Sequence, residues 1–112
     1  MHLRVRVVRG GDLGRSQYVT KVIPIADDMD AAGMTRLRVE FEELAQANDD
    51  VVLDLAGVTF LNSSGVGGIV YLFKRLRAAG RSLRLVNVKG QPLQLLSHLR
   101  LTDLLAVSTG EA

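Results

Sequence analysis

Hydrophobic and polar positions alternate at the start of the chain, with Leu3, Val5 and Val7 on one side and Arg4 and Arg6 on the other, the period of a half-exposed strand. The segment RGGDLGRS reads as a loop, and the β-rich run from Tyr18 to Ile25 is expected to pair with the first strand as an antiparallel hairpin. Pro24 has no amide donor and belongs near an edge or a strand end. The period then lengthens. Within ADDMDAAGMTRLRVEFEELAQAND, residues Met34, Leu37, Phe41, Leu44 and Ala45 fall on one face of a helix, and acidic residues sit at its positive N-terminal end. Asp28 or Asp30 is the expected N-cap, and Gly33 is expected to weaken the first turns slightly.

VVLDLAGVTFL begins as a near-continuous apolar run, which suits a central strand covered on both faces and parallel to its neighbours; Asp54 interrupts it. After the serines of FLNSSGVGG, the spacing of Val66, Ile69, Val70, Phe73 and Leu76 predicts a second amphipathic helix ending near Gly80. SLRLVNV is the next strand. Pro92 fits the first turn of a third helix carrying Leu93, Leu96 and Leu99, and LLAVS supplies a short last strand. The order is β-β-α-β-α-β-α-β, an α/β fold with a mixed β-sheet of about five strands and helices packed on the sheet.

Length and composition narrow the function classes. At 112 residues with 47% hydrophobic content, the chain is expected to form a single domain over residues 1–112 with one core. No apolar run approaches the roughly 20 residues needed to span a bilayer, so no membrane insertion and a cytoplasmic location are expected. With no cysteine there is no disulfide framework, thiol nucleophile or cysteine zinc site. Net charge is only +2, yet residues 1–50 carry 7 basic and 9 acidic groups while residues 51–112 carry 7 basic and 3 acidic. The basic groups cluster in KRLRAAGRSLR, Lys74 to Arg84. Aromatic interleaving is missing there, and such a run usually forms a helix's solvated face, so no direct nucleic-acid partner is expected.

Candidate chemistry gathers at NSSGVGG. This segment is neither the nucleophile elbow G-x-S-x-G nor a phosphate loop, and its glycines do not form a dinucleotide fingerprint. His2 and His98 cannot be placed beside the serines, and no pair of histidines or carboxylates has metal-ligand spacing. No catalytic residue, metal or cofactor is therefore assigned, and an esterase has no base. What remains is a hydroxyl at a helix N-terminus. Asn62 and Ser63 are both good caps, and simple capping is the plain alternative to any functional role. If either caps, Ser64 lies in the first turn, where free backbone donors and the helix dipole would accommodate a phosphate. Ser64, Gly68, Tyr71 and Arg75 follow at i, i+4, i+7 and i+11, forming a face that glycine keeps flat. Gly67 and Gly68 each cost the helix about 1 kcal/mol relative to Ala, so close packing on the protein's own loops or close approach by a partner must favour them.

The stretch VVLDLAGVTFLNSSGVGGIVYLFKRLRAAGRSLRLVNV resembles the core of the STAS domain family, anti-sigma factor antagonist type, in which an apolar strand ending in Asp-Leu leads to an Asp-Ser-Ser-Gly motif and a helix. PLQLLSHLRLTDLL resembles the family's tail. The resemblance implies the STAS fold and a non-enzymatic regulator that binds a GHKL-type serine kinase acting as an anti-sigma factor. In such partner switching the kinase phosphorylates the second serine of the motif, which corresponds to Ser64, and a serine phosphatase reverses it. Ser63 corresponds to the first serine, and Asp54 to the acidic residue that closes the central strand and supports the loop. Asn62, Ser63, Ser64, Gly65, Gly68, Tyr71 and Arg75 are the expected switch-loop and partner-binding residues. One departure stands out: the family's acidic residue before the serine pair is here Asn62, which caps as well as Asp but carries no charge. Two other readings stay open, a STAS adaptor subunit that is not phosphorylated (stressosome-like or lipid-transport-associated) and a nucleotide-binding STAS module.

Overall fold

The computed structural model describes residues 6–9 and 19–111 of the chain. Strand β1 spans Arg6–Arg9 and pairs antiparallel with β2, Val19–Pro24, as the alternating N-terminal pattern predicts. His2, Leu3, Arg4, Val5, the loop between the strands and Tyr18 lie outside the described residues. Pro24 is the last residue of β2. Strand β3, Asp50–Asp54, runs parallel to β2, and β4, Leu83–Val86, runs parallel to β3.

Three helices join these strands: α1 over Ala31–Gln46, α2 over Ser63–Ala78 and α3 over Gly90–His98. The sheet order is β1-β2-β3-β4, with three parallel strands and an antiparallel edge. Inward positions Ile23, Val51, Leu53, Leu83 and Leu85 pack with Leu37, Phe41 and Leu44 of α1, Ile69, Leu72 and Leu76 of α2, and Leu96 of α3. The alternate positions Val22, Val52 and Val86 form a small second cluster. Burial on both faces explains why β3 reads as a continuous apolar run rather than an alternating one.

The expected count of about five strands is corrected to four among the described residues. Segment LLAVS makes only a single parallel bridge, Leu85 to Val107. Turn hydrogen bonds from Leu105 N to Leu101 O, from Ala106 N to Asp103 O and from Val107 N to Thr102 O consume the preceding backbone. Ala106 also adopts φ 49°, which an extended strand does not allow. Leu99, expected on the buried face of the third helix, is instead its C-cap and is exposed, while Pro92 and Leu96 are buried.

Helix ends follow local chemistry. Asp30 is the N-cap of α1, its carboxylate accepting from Gly33 N at 2.8 Å. Gly33 is more than a weak helix former, because a methyl group there would collide with the Asp28 carbonyl. The close approach of the β2–α1 loop requires glycine at this position. α2 ends in a Schellman motif, with Arg81 N bonded to Leu76 O at 2.8 Å and Gly80 N to Arg77 O at 3.0 Å. α1 has no basic residue in its last turn. Arg81 takes that role from across the fold: its guanidinium, in a side chain only 6% exposed, donates to the carbonyls of Leu44, Ala45 and Asp49.

Candidate functional site at the N-terminus of α2

The loop from β3 to α2 is held at three points. Asp54 accepts from Ala56 N and from the Asn87 amide, both at 3.0 Å, tying the ends of β3 and β4 together. Asp28, from the β2–α1 loop, accepts from Thr59 N, Thr59 Oγ1 and Phe60 N. Gln91 of α3 clamps Leu61, accepting from its amide and donating to its carbonyl, each at 2.8 Å. A parallel bridge between Met29 and Leu61 extends the β2–β3 pairing to the threshold of α2. Apart from the local Asp54–Ala56 bond, each anchor joins residues about thirty positions apart, so the serine-bearing turn is set by tertiary contacts and not by its own sequence alone.

Asn62 caps α2, its side-chain oxygen accepting from Ser64 N at 2.9 Å and Gly65 N at 3.4 Å. Ser63 and Ser64 are therefore the first two helical residues, and both are exposed. The expectation of free donors beside Ser64 is corrected in part, because the Asn62 carboxamide already occupies the Ser64 and Gly65 amides. Val66 N bonds to Asn62 O, which leaves Ser63 N as the first-turn amide without a protein acceptor among the described residues. The positive end of the helix still points at the serines.

The three glycines of α2 differ in environment. Gly65 is buried, and an added methyl would stand 2.7 Å from Met29 Cβ and closer still to Met29 O and Leu61 Cδ1. Gly67 faces open space. Gly68 lies beneath the terminal methyl of Met34, so it is a seat for α1 as much as a flat outer surface. Packing against the protein's own residues thus accounts for Gly65 and Gly68, and leaves Gly67 as the position with room for another molecule.

Tyr71 and Arg75 are likewise committed within the fold. The Tyr71 hydroxyl donates to the Glu42 carboxylate of α1 at 2.9 Å, and Arg75 Nη1 reaches the same carboxylate at 3.0 Å. Arg75 Nη1 also contacts the Tyr71 hydroxyl, and its guanidinium carbon lies 5.5 Å from the ring centroid. Hydrogen bonding by Tyr71, then by Arg75, holds the Glu42 carboxyl below its ordinary pKa, and the bond to Glu42 raises that of Arg75. The expected face of Ser64, Gly68, Tyr71 and Arg75 therefore ends in a clip between α1 and α2. Glu42, Asp28 and Gln91 had no signal of their own in the sequence beyond Asp28 as a possible cap.

His98 is exposed on α3. Among the described residues no group of acidic or histidine side chains has the arrangement of a metal site, and no helix is long and apolar enough to cross a membrane.

The family model described as STAS domain matches residues 15–112. The anti-sigma-B factor antagonist of Bacillus subtilis (strain 168) is 29% identical over 86 residues, covering 77% of this chain and 79% of that protein. Among solved structures, a Thermotoga maritima protein described as a candidate anti-sigma factor antagonist superposes with a TM-score of 0.77 at 18% identity, covering 95% of this chain and 85% of that one. The anti-sigma factor antagonist SpoIIAA in its unphosphorylated form gives a TM-score of 0.63 at 17% identity, covering 89% and 83% respectively. The two structural likenesses carry the fold, and the family match extends over most of the chain, so this protein belongs to the STAS domain family.

Proposed function

We propose that this chain is an anti-sigma factor antagonist that docks on a kinase-type anti-sigma factor through the N-terminal face of α2, and that phosphorylation of Ser64 ends the interaction. The observation that carries this reading is the placement of Ser64: exposed, second in the helix, on a turn anchored by Asp28, Gln91 and the Met29–Leu61 bridge. A rigid, protruding hydroxyl suits a kinase, which must align it with a nucleotide phosphate. Asn62, Ser63, Ser64 and Gly67 form the contact surface beside it, while Asp54, Gly65, Gly68, Tyr71 and Arg75 support that surface from behind. The similarity to the Bacillus subtilis antagonist supports the partner class.

The mechanism is electrostatic. A phosphate on Ser64 adds about −1.5 to −2 charges to a turn whose nearest polar side chains, Asn62 and Ser63, are neutral. Pressed into a complex without matching cations, that dianion costs several kcal/mol of desolvation, enough to shift occupancy by orders of magnitude. The helix N-terminus and the Ser63 amide moderate the cost within the free protein, so the modified state is stable when unbound. A serine phosphatase would restore binding.

Incubation with a GHKL-type anti-sigma kinase of the same genome and ATP, followed by peptide mapping, tests this. One phosphate on Ser64, absent from Ser64→Ala, is expected; a phosphate elsewhere, or none, refutes the switch. The second reading, a STAS adaptor without phosphorylation, is favoured by Asn62 in place of the family's acidic residue, and absence of phosphate together with intact partner binding would establish it.

A further inference from the structure

A cleft of about 400 Å³ opens between α1 and α2, lined by Met34, Arg38, Phe41, Glu42, Gly68 and Tyr71. Its volume equals about a dozen waters at roughly 30 Å³ each, within the range of small-molecule sites. The floor is apolar: Phe41 is 3% exposed, and the Met34 methyl rests on Gly68. Methionine at such a place adapts to what lies on it, since its unbranched thioether rotates at little cost. The polar wall is the clip described above, in which Tyr71 and Arg75 satisfy the Glu42 carboxylate. Arg38 differs from these residues. It is exposed and makes no ion pair or hydrogen bond among the described residues, while Arg36 beside it pairs with Asp27. Counting Arg75 behind the wall, the surroundings carry two cations against one carboxylate.

We propose that this cleft binds a small amphipathic carboxylate, its apolar part on Met34, Phe41 and Gly68 and its anionic head on Arg38. The volume suits a chain of roughly ten non-hydrogen atoms, and longer tails would project into solvent. The cleft does not include Asn62, Ser63 or Ser64 in its lining; Gly68, one helical turn beyond Ser64, is the residue that joins the two regions.

The test uses octanoate and the full chain labelled with carbon-13 at the methionine methyls. Titration is expected to move the Met34 methyl resonance saturably, with a dissociation constant of about 1 mM or tighter, while Met29, fully buried under the start of α2, stays in place. Neutral octanol is expected to bind about tenfold more weakly, and Arg38→Gln, a surface change that leaves the core intact, to weaken octanoate by about the same factor. Gly68→Val places a branched side chain where the Met34 methyl rests and is expected to abolish the response. A Met34 resonance that does not move with octanoate overturns the site. Equal binding of octanol and octanoate, unaffected by Arg38→Gln, overturns the assignment of a carboxylate.

Discussion

Gly65 and Gly67 stand two residues apart in one helix, and replacing each by alanine should change stability in opposite directions. Alanine is the better helix former by about 1 kcal/mol, a gain both variants receive. Gly67 faces open space, so that gain is unopposed, and Gly67→Ala should stabilise by about 0.5–1 kcal/mol. At Gly65 the methyl would stand 2.7 Å from Met29 Cβ, against an optimum of about 3.5–4.0 Å between carbons, and it would also meet the Met29 carbonyl, a backbone atom that cannot rotate away. Relief requires the start of α2 to retreat by about 1 Å from residues 29 and 61. That movement strains the bonds from Met29 N to Phe60 O at 2.9 Å and from Asn62 N to Met29 O at 3.2 Å. Overpacking costs about 1–3 kcal/mol and a weakened bond about 1 kcal/mol more, so the net for Gly65→Ala is a loss of about 1–3 kcal/mol. Thermal unfolding followed by circular dichroism reads this directly, since each kcal/mol moves the midpoint of a domain near this size by about 4–8 °C. Gly65→Ala should lower the midpoint by roughly 5–20 °C while Gly67→Ala raises it by a few degrees. Equal shifts, or a Gly65→Ala protein as stable as the parent, would refute the close approach of α2 to the Met29–Leu61 bridge.

Arg81→Met removes three charge-assisted bonds and leaves the carbonyls of Leu44, Ala45 and Asp49 without a donor, so urea unfolding should show a loss of about 3–5 kcal/mol with unchanged m-value. Arg81→Lys should recover only part of it, because an ammonium cannot span three acceptors with a planar fork. For the α1–α2 clip the folded pKa of Glu42 is depressed, so its contribution to stability is present above the ordinary carboxylate value of about 4.3 and is lost as pH falls through the folded value. The stability difference between the parent and Glu42→Gln should therefore be visible at pH 7, shrink in high salt, and vanish at the acid end of a pH series; a difference independent of pH would contradict the ion pair. Asn62→Ala should cost about 1 kcal/mol by freeing the Ser64 and Gly65 amides, while Asn62→Asp keeps the cap and should be at least as stable as the parent in the same urea assay.

The pairing of the first two strands, the apolar run of β3 and the stripe of α1 were legible in the pattern of apolar positions, and that of α2 in part: Ile69 and Leu76 are buried as read, Val70 is half-buried, and the fully buried Leu72 was not in the expected stripe. A cap at Asn62 or Ser63 was legible because capping is local, and of the two it is Asn62 that caps α2. Pairings across the chain were not. Gln91 clamps Leu61 and Glu42 receives Tyr71 and Arg75 over about thirty residues, and nothing in the period of either segment distinguishes these polar residues from solvated ones. The same limit explains Gly33 and Gly68, whose neighbours are the Asp28 carbonyl and the Met34 methyl; a helix read alone reports only their poor propensity. LLAVS has strand composition, yet turn hydrogen bonds from its Leu105, Ala106 and Val107 amides limit it to one parallel bridge with β4, carried by Leu85 N to Ala106 O and Ser108 N to Leu85 O. At the candidate site, motif and cap together identified the exposed serine, while the anchors that hold it became visible only in three dimensions.

Phosphate on Ser64 is proposed to control docking. Titration calorimetry of a GHKL-type anti-sigma kinase of the same genome against the unmodified chain and against the chain phosphorylated at Ser64 tests it most directly. The unmodified chain should bind, and the phosphorylated chain should bind at least about a hundredfold more weakly, a difference of about 2.7 kcal/mol. Equal affinity of the two forms would contradict the claim.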